Sequence, residues 1–347
     1  MTYPSAGEIQ HAAVIGTGLI GFSWAHVFCR NGVETRMYDE NAASLQRGYG
    51  RLLEAFDSFE ELGLLDSDAK SSAIACVRVC DSLEDALLGV QWVQECVPED
   101  LNIKREVFAQ LDAVASRDTV LASSLSALAV SDVTSLTKHP KRCVGVHPTN
   151  PPHIIPLVEV IRSQATAPEV IDLAREFMAL LGQSPIVVEK EIYGYVLNRL
   201  QCALIREAVA LMRDGVASVA DIDRCVTEGL GLRWALTGPF MVEELNASSI
   251  KDDLSKYRDY YETMWPSLST ANELTDKDID LASEGLAEVL ASSSHDKVLE
   301  WRDRTVLALR ELKRSNPGCL CVCQAIGGGS LAGSSPRRSS SSINRQT

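Results

Sequence analysis

Apolar and polar residues follow one another along the first half of the chain in blocks typical of alternating strands and helices. A short apolar run predicts a strand at His11 to Gly16, and further strands are predicted at Glu34 to Tyr38 and Trp92 to Cys96. Segments with helical spacing predict helices at Phe22 to Arg30 and Asn41 to Gly63. The further predicted strands are Val77 to Cys80, Thr119 to Ala122, Cys143 to His147, Val158 to Ile161 and Pro185 to Val188. Strands that alternate with helices are typical of a parallel sheet, so we expect an N-terminal Rossmann-type doubly wound α/β fold.

The pattern changes near Glu191, beyond which strands largely vanish. Long helical patterns then follow, at Tyr195 to Asp214, Val219 to Gly229, Pro239 to Ala247 and, with interruptions, Asp276 to Arg314. After Pro317 the chain turns to Gly, Ser and Arg, a composition that buries too little apolar surface to fold. We therefore expect a Rossmann domain in residues 1–190, an all-α domain in 191–316 and a disordered tail in 317–347.

Composition narrows the class of protein. A chain of 347 residues favours two domains, and 46% hydrophobic and 23% charged residues are ordinary for a soluble globular protein. There is neither an apolar run long enough to cross a membrane nor a secretory signal pattern at the N-terminus, so we expect a cytoplasmic protein without membrane contact. The net charge of −14, without a basic stripe, argues against a nucleic-acid partner.

The ten cysteines do not predict a metal site. Seven are scattered singly, mostly in apolar segments, where reduced cysteine acts as a small buried hydrophobe. Cys319, Cys321 and Cys323 stand at every second position near the C-terminus, which is not a zinc pattern. We expect free thiols and no bound metal.

A glycine-rich turn between the first strand and the first helix predicts a dinucleotide site. Its sequence is Gly16-Thr17-Gly18-Leu19-Ile20-Gly21. The first glycine permits the tight turn, the second lets the backbone approach a pyrophosphate, and the third allows close packing of helix on strand. The pyrophosphate would then face the helix N-terminus, whose dipole favours anions.

An acidic residue at the end of the second strand narrows the cofactor to NAD. Asp39 lies about 20 residues beyond the turn, where a carboxylate accepts hydrogen bonds from the adenosine ribose. Glu40 follows it, and no arginine stands beside them to neutralise a 2′-phosphate. The pattern therefore favours NAD over NADP.

Candidate chemistry lies in the stretch from Val144 to Ile161. His147 ends an apolar strand, where ligands collect in an open α/β sheet, and four prolines lead on to a strand that carries Glu159. A histidine held by a buried carboxylate keeps one tautomer and gains basicity, as proton abstraction from an alcohol requires. By spacing alone, a structural histidine in a proline-rich turn explains this stretch about as well.

The same stretch resembles the His-x-x-Asn-Pro…Leu-Val-Glu-Val motif of the 3-hydroxyacyl-CoA dehydrogenase family. Further matching segments run from the glycine turn to about Leu312. They are Cys96-Val-Pro-Glu-Asp-Leu-Asn-Ile-Lys104, Ala122-Ser-Ser-Leu-Ser126, Gly194-Tyr-Val-Leu-Asn-Arg-Leu200 and Gly229-Leu-Gly-Leu-Arg-Trp-Ala235.

The resemblance implies a role for each matching residue. His147 would be the general base and Glu159 its orienting partner. Ser126 and Asn198 would hydrogen-bond the reacting oxygen. The cofactor would be contacted by the glycine turn, Leu19, Ile20, Asp39, Glu99 and Lys104. The resemblance also implies hydride transfer to NAD and a homodimer paired through the helical domains.

The substrate suggested by these residues is a small hydroxy acid. Ala127 departs from the second serine that acyl-CoA enzymes of the family tend to carry. In residues 48–72, the region that contacts CoA in such enzymes, Arg51 and Lys70 stand against six acidic residues, which disfavours CoA. A small hydroxy-carboxylate needs one or two cations, and Arg233 is our candidate. The resemblance implies oxidation of the 3-hydroxyl of L-gulonate, and this is our expectation. The alternatives are a 3-hydroxyacyl-CoA, carnitine, or a structural NAD-binding protein without turnover.

Overall fold

The computed structural model of the chain describes residues 3–291 and 293–316, and these ranges contain one eight-stranded sheet. The strands are β1 His11–Ile15, β2 Glu34–Tyr38, β3 Val77–Val79, β4 Trp92–Glu95, β5 Val120–Ser123, β6 Cys143–Pro148, β7 Leu157–Ile161 and β8 Ser184–Val188. Across the sheet they lie in the order β3-β2-β1-β4-β5-β6-β7-β8. The strand order reverses between β1 and β4, and ligands bind at the carboxyl ends of strands at such a point.

The last two strands depart from the parallel order that the sequence predicts. β1 to β6 pair in parallel, whereas β7 pairs antiparallel with β6 and parallel with β8. The chain passes from β6 to β7 through a short loop, and a parallel neighbour would require a crossover of a dozen residues or more. The antiparallel register sets His147 directly opposite Glu159.

Helices cover both faces of this sheet. They are α1 Leu19–Arg30, α2 Ala42–Glu61, α3 Ser67–Ala75, α4 Leu83–Leu87, α5 Leu101–Val114, α6 Val130–Val133 and α7 Pro168–Leu180. Alternate residues of β1 face the two cores, with Val14 in the cluster that α1, α2 and α7 share and Ile15 in the cluster that α4, α5 and α6 share. A strand buried on both faces must be apolar throughout, which explains the unbroken apolar run.

The second half is helical, as its sequence pattern predicts. The helices are α8 Leu197–Arg213, α9 Val219–Arg224, α10 Gly231–Trp234, α11 Pro239–Asn246, α12 Ile250–Lys256, α13 Arg258–Met264, α14 Asp276–Leu290 and α15 His295–Ser315, with a π-helical turn at Cys225–Leu230. The sequence analysis does not predict α12 and α13. The proposed tail at 317–347, with Cys319, Cys321 and Cys323, lies outside the described residues.

The last helix packs back onto the N-terminal half. Leu307 of α15 forms a buried cluster with Phe59 of α2 and Ile154 of the β6–β7 loop. Arg310 donates a hydrogen bond of 2.5 Å to the Ile154 carbonyl. The helix therefore covers both α2 and the loop that separates His147 from Glu159 in sequence.

The described residues bear on two expectations, that no segment crosses a membrane and that the cysteines are free thiols. No helix in 3–291 or 293–316 is long and apolar enough to span a membrane. The cysteines at 29, 76, 80, 96, 143, 202 and 225 are free. Cys29, Cys80 and Cys143 are buried as expected, but Cys202 and Cys225 are exposed on the helical half. The reason is that the apolar faces of α8 and the π-helical turn are not covered within a single chain.

Candidate active site

A cavity of about 1070 Å³ opens at the carboxyl ends of the central strands. Many of the residues predicted for cofactor and catalysis line it together: Gly16, Gly18, Leu19, Ile20, Asp39, Glu99, Ser126, His147 and Asn198. The helical half contributes to the lining through the first two turns of α8, at Leu197, Asn198 and Gln201. The cavity thus joins the glycine turn to the histidine in one space.

The glycine turn has the geometry that a dinucleotide requires. Gly16 has φ +89°, and a Cβ there would lie 2.8 Å from the Cys96 carbonyl carbon. A Cβ on Gly21 would lie 1.9 Å from the Gly16 carbonyl oxygen, so strand and helix can meet this closely because both residues are glycine. A Cβ on Gly18 would meet nothing within 4 Å, which leaves the backbone open beside the N-terminus of α1. This cradle fits a pyrophosphate.

Asp39 is held in place in the cavity wall by three hydrogen bonds. Its Oδ2 accepts hydrogen bonds from the Thr17 amide (2.8 Å) and the Thr17 hydroxyl (3.1 Å), and its Oδ1 accepts one from the Asn41 amide (3.0 Å). A carboxylate has about four acceptor sites, so capacity remains for a ribose hydroxyl. Glu40 lines the cavity beside it and adds negative charge.

His147 and Glu159 form a buried pair. Nδ1 of His147 lies 2.7 Å from Oε2 of Glu159, while Oε1 accepts hydrogen bonds from the amides of Val196 (2.9 Å) and Leu197 (3.1 Å). Burial alone would raise the pKa of Glu159, but these hydrogen bonds outweigh it and hold the pKa below its ordinary value. The carboxylate therefore stays ionised at neutral pH. With Nδ1 committed to Glu159, Nε2 is the ring nitrogen left to take a proton.

Ser126 is positioned by residues from two other elements. Glu99 accepts hydrogen bonds from the amides of Ser126 (2.8 Å), Ala127 (2.9 Å) and Leu128 (3.2 Å). Asn198 of α8 donates its Nδ2 to the Ser126 carbonyl at 2.9 Å. Glu99 and Asn198 therefore fix the backbone of this loop, so that the Ser126 side chain stands at the cavity wall.

Lys104 lies behind the cavity wall instead of lining it. Its side chain is 1% exposed, and Nζ contacts Glu95 Oε1 at 2.9 Å and Glu99 Oε2 at 3.5 Å. Burial alone would lower the pKa of Lys104, but the Glu95 carboxylate outweighs burial and raises it. Lys104 is thus a protonated support for Glu99, whereas its sequence motif suggested contact with the cofactor.

Arg233 is exposed on the short helix α10 and does not line the cavity of its own chain. The described lining residues carry the carboxylates of Asp39, Glu40, Glu99 and Glu106 and include no lysine or arginine. A substrate carboxylate therefore finds no cation in the cavity wall of a single chain.

Two residues at the site, Glu95 and Ser124, are not predicted from the sequence. Glu95 is fully buried in β4, between the cavity loop and Lys104. The sequence does carry a sign of its role, because Glu95 is a charged residue within a strand that is otherwise buried. Ser124 lines the cavity and accepts hydrogen bonds from Trp24 Nε1 (3.1 Å) and Gln94 Nε2 (2.8 Å), and nothing in its local pattern distinguishes it from Ser123. Among the described residues no group of three His, Cys, Asp or Glu is arranged to hold a metal ion.

Known proteins share both halves of this architecture. Residues 11–192 match the family described as 3-hydroxyacyl-CoA dehydrogenase, NAD binding domain, and residues 194–280 match its C-terminal domain. Lambda-crystallin of Oryctolagus cuniculus is 34% identical over 90% of this chain and 98% of its own length. L-carnitine dehydrogenase of Streptomyces griseus is 36% identical over 86% of this chain and 89% of its own length.

A solved structure agrees with these relatives. The NAD⁺-dependent dismutase 5-formyl-3-hydroxy-2-methylpyridine 4-carboxylic acid 5-dehydrogenase superposes with a TM-score of 0.75 at 29% identity, over 88% of this chain and 99% of that one. Two matching domains and relatives over nearly the full length leave no large part of the described chain outside the comparison. The chain belongs to the 3-hydroxyacyl-CoA dehydrogenase family and is an NAD-dependent oxidoreductase that acts on a CH–OH group.

Proposed function

We propose that the protein oxidises the 3-hydroxyl group of a small hydroxy acid, and that this acid is L-gulonate, which gives 3-dehydro-L-gulonate. The observation that carries the proposal is the His147–Glu159 pair, at 2.7 Å, which opens into the same cavity as the glycine turn. Similarity to relatives described as L-carnitine dehydrogenase along most of the chain supports a small hydroxy acid as the substrate.

His147 would take the proton of the substrate hydroxyl at Nε2. Glu159 keeps the ring in one tautomer and stabilises the imidazolium that forms. The Ser126 hydroxyl and Asn198 would hydrogen-bond the reacting oxygen and keep it near Nε2. Bound NAD supplies the hydride acceptor.

Charge around α2 argues against a CoA ester. Lys70, one of the two cations in residues 48–72, lies 2.5 Å from Asp57 and 2.7 Å from Glu60. Its charge is therefore already neutralised, and Arg51 remains as a cation for a nucleotide phosphate. An anionic nucleotide near this acidic surface would be repelled.

L-carnitine is the second candidate, because one observation favours it. The cavity wall carries four carboxylates and, among the described residues, no lysine or arginine. Such a wall attracts a substrate that carries a cation, and carnitine is a 3-hydroxy acid with a quaternary ammonium group. Relatives described as L-carnitine dehydrogenase support the same possibility.

We propose that Arg233 binds the substrate carboxylate once two chains pair. It stands between Leu232 (60% exposed) and Trp234 (41% exposed), on an apolar surface suited to a second copy of the chain. A homodimer would thereby supply the cation that the single-chain cavity lacks. Arg233→Ala should raise the KM for L-gulonate on the order of 100-fold and leave the KM for NAD alone, since a charged hydrogen bond is worth about 1.5–3 kcal/mol. An unchanged KM for L-gulonate would contradict this role.

We propose that the protein works in the cytosol, because its buried free thiols suit a reducing compartment. Cell fractionation with an antibody against the full chain tests the location. Recovery of the protein in an oxidising compartment would contradict it.

Steady-state NADH formation by the purified full-length protein tests the proposed function. The substrates are L-gulonate, L-carnitine, 3-hydroxybutyrate and 3-hydroxybutyryl-CoA, each with NAD and with NADP. The proposal predicts the highest kcat/KM for L-gulonate with NAD. Preference for L-carnitine would support the second candidate, and preference for the CoA ester would overturn both. No turnover of any substrate would favour a structural NAD-binding protein.

A further inference from the structure

Tyr195 adopts a backbone conformation that a large side chain rarely takes. Its φ is +48°, and the preceding Gly194 has φ +74°. Left-handed backbone at a non-glycine residue is sterically costly and concentrates at functional sites, where the surroundings enforce it. These two left-handed residues end a turn just before α8, in which the Tyr195 amide donates to the Ile192 carbonyl at 3.1 Å. This turn directs the residues that follow toward the cavity.

The Tyr195 side chain is fully buried between two parts of the site. Its ring lies 5.6 Å from the His147 ring, centroid to centroid, at an angle of 54°. Its hydroxyl donates a hydrogen bond to the carbonyl of Leu128, in the loop that carries Ser126. Burial raises the pKa of Tyr195 above its ordinary value, so the hydroxyl keeps its proton and remains a donor.

The residues after Tyr195 contact the same two parts of the site. The amides of Val196 and Leu197 donate to Glu159, the partner of His147. Asn198 donates to the carbonyl of Ser126. Four consecutive residues therefore link the histidine side of the cavity to the serine side, and Tyr195 alone touches both sides through one side chain.

We propose that Tyr195 is a positioning residue, which sets the separation of His147 and Ser126 by packing its ring on the one and hydrogen-bonding the loop of the other. The expected change in kcat rests on the proposed function. The contacts of Tyr195 with His147 and with the loop that carries Ser126 do not depend on it. Loss of the hydroxyl would leave the half-buried Leu128 carbonyl without this donor, and the loop at 126–128 would loosen while the cofactor turn stays intact.

Tyr195→Phe tests the proposal, with Tyr193→Phe as the matched control. Tyr193 is 78% exposed, so the same chemical change there should alter nothing. In full-length Tyr195→Phe we expect faster amide hydrogen exchange in a peptide spanning residues 124–130 and unchanged exchange at the glycine turn. We also expect kcat to fall on the order of 10- to 100-fold, because small misplacement of reacting groups is this costly. The KM for NAD should stay within roughly twofold, as the cofactor cradle is not touched.

Hydrogen exchange separates failure of this inference from failure of the proposed function, because it needs no substrate. If the wild-type protein turns over no hydroxy acid, the proposed function fails. The exchange result still tests whether Tyr195 holds the loop at 126–128. Exchange at 124–130 that matches the Tyr193→Phe control would overturn the inference. A uniform rise in exchange across the domain would overturn it as well, since that is loss of stability. An unchanged kcat with a measurable wild-type activity would also contradict it.

Discussion

The carboxylate of Glu159 reaches His147 because two antiparallel strands place the residues opposite each other. Glu159→Gln keeps the shape but removes the charge that stabilises an imidazolium. We expect kcat to fall on the order of 100- to 10,000-fold, with little change in the KM for NAD. Steady-state kinetics with the best substrate provide the measurement.

The matched control is Glu189→Gln, a glutamate whose side chain is 73% exposed and pairs with Arg162. It should leave kcat unchanged, because an exposed pair contributes little. Equal kcat values for the two variants would mean that Glu159 has no role in catalysis.

Individual residues were predictable from the sequence where a local motif constrains them. The glycine turn and Asp39 stand at spacings that the cofactor imposes, and both line the cavity. Lys104 stood in a matching motif too, yet it is buried against Glu95, because a local motif does not reveal which side chain faces inward. Glu95 contacts Ser123, and Tyr195 contacts His147 and Leu128. These contacts join segments that are distant in sequence, so the spacing of residues along the chain could not predict them.

The helix α8 contributes three residues to the cavity lining and also carries an uncovered apolar surface. None of its residues is buried, and Leu200 and Leu204 are 62% and 37% exposed one turn apart. Proteins seldom leave such an apolar surface open, and we propose a homodimer formed through the helical half.

Leu204→Glu should weaken this homodimer. An unpaired carboxylate buried in an apolar interface costs several kcal/mol, and each 1.4 kcal/mol is tenfold in affinity, so we expect self-association to weaken by on the order of 100-fold or more. Sedimentation velocity measures the change, with Leu88→Glu as the control, since Leu88 is 69% exposed at the end of α4 in the other half. A wild-type monomer, or equal weakening by both variants, would refute this arrangement.

The hydrophobic periodicity of the sequence predicts most of the strands and helices. It does not predict the direction of β7 or the presence of α12 and α13. β7 runs antiparallel to β6 because the loop between them is too short for a crossover, and the hydrophobic pattern carries no sign of strand direction. The helices α12 and α13 carry mostly charged and aromatic residues without a clear apolar stripe, so periodicity could not identify them.

On the scale of the whole molecule, two buried histidines lie where α15 closes over α1 and α2. His26 and His153 have ring centroids 5.2 Å apart, and His26 packs between Phe56 and Phe59. Burial, and then the positive charge of Arg30, lowers the pKa of both, to about 3 for His153. Both rings are therefore neutral in the folded protein.

This pair makes stability depend on pH. The unfolded chain binds protons below the ordinary histidine pKa of 6.5, whereas the folded chain does not. Stability is then complete above pH 6.5 and falls as the pH drops toward the lowered folded pKa, by up to about 1.4 kcal/mol per pH unit for each histidine. His26→Leu conserves volume and removes one titrating ring, so its unfolding free energy should fall less steeply between pH 6.5 and 5.

Denaturant unfolding at several pH values measures this slope. His295→Gln is the control, because His295 is exposed at the start of α15 and should leave the slope unchanged. A His26→Leu slope equal to that of wild type would show that the buried histidine does not govern acid stability.

The most direct test of the account is the fate of one hydrogen atom. Purified wild-type protein is given NAD and L-gulonate deuterated at C3, and the reduced cofactor is analysed by mass spectrometry, with L-gulonate deuterated at C2 as the comparison. Oxidation at C3 with His147 as the base predicts deuterium on the reduced nicotinamide from the C3-labelled substrate alone, and loss of this transfer in His147→Gln. Deuterium transferred from C2, or transfer that persists without His147, would contradict it.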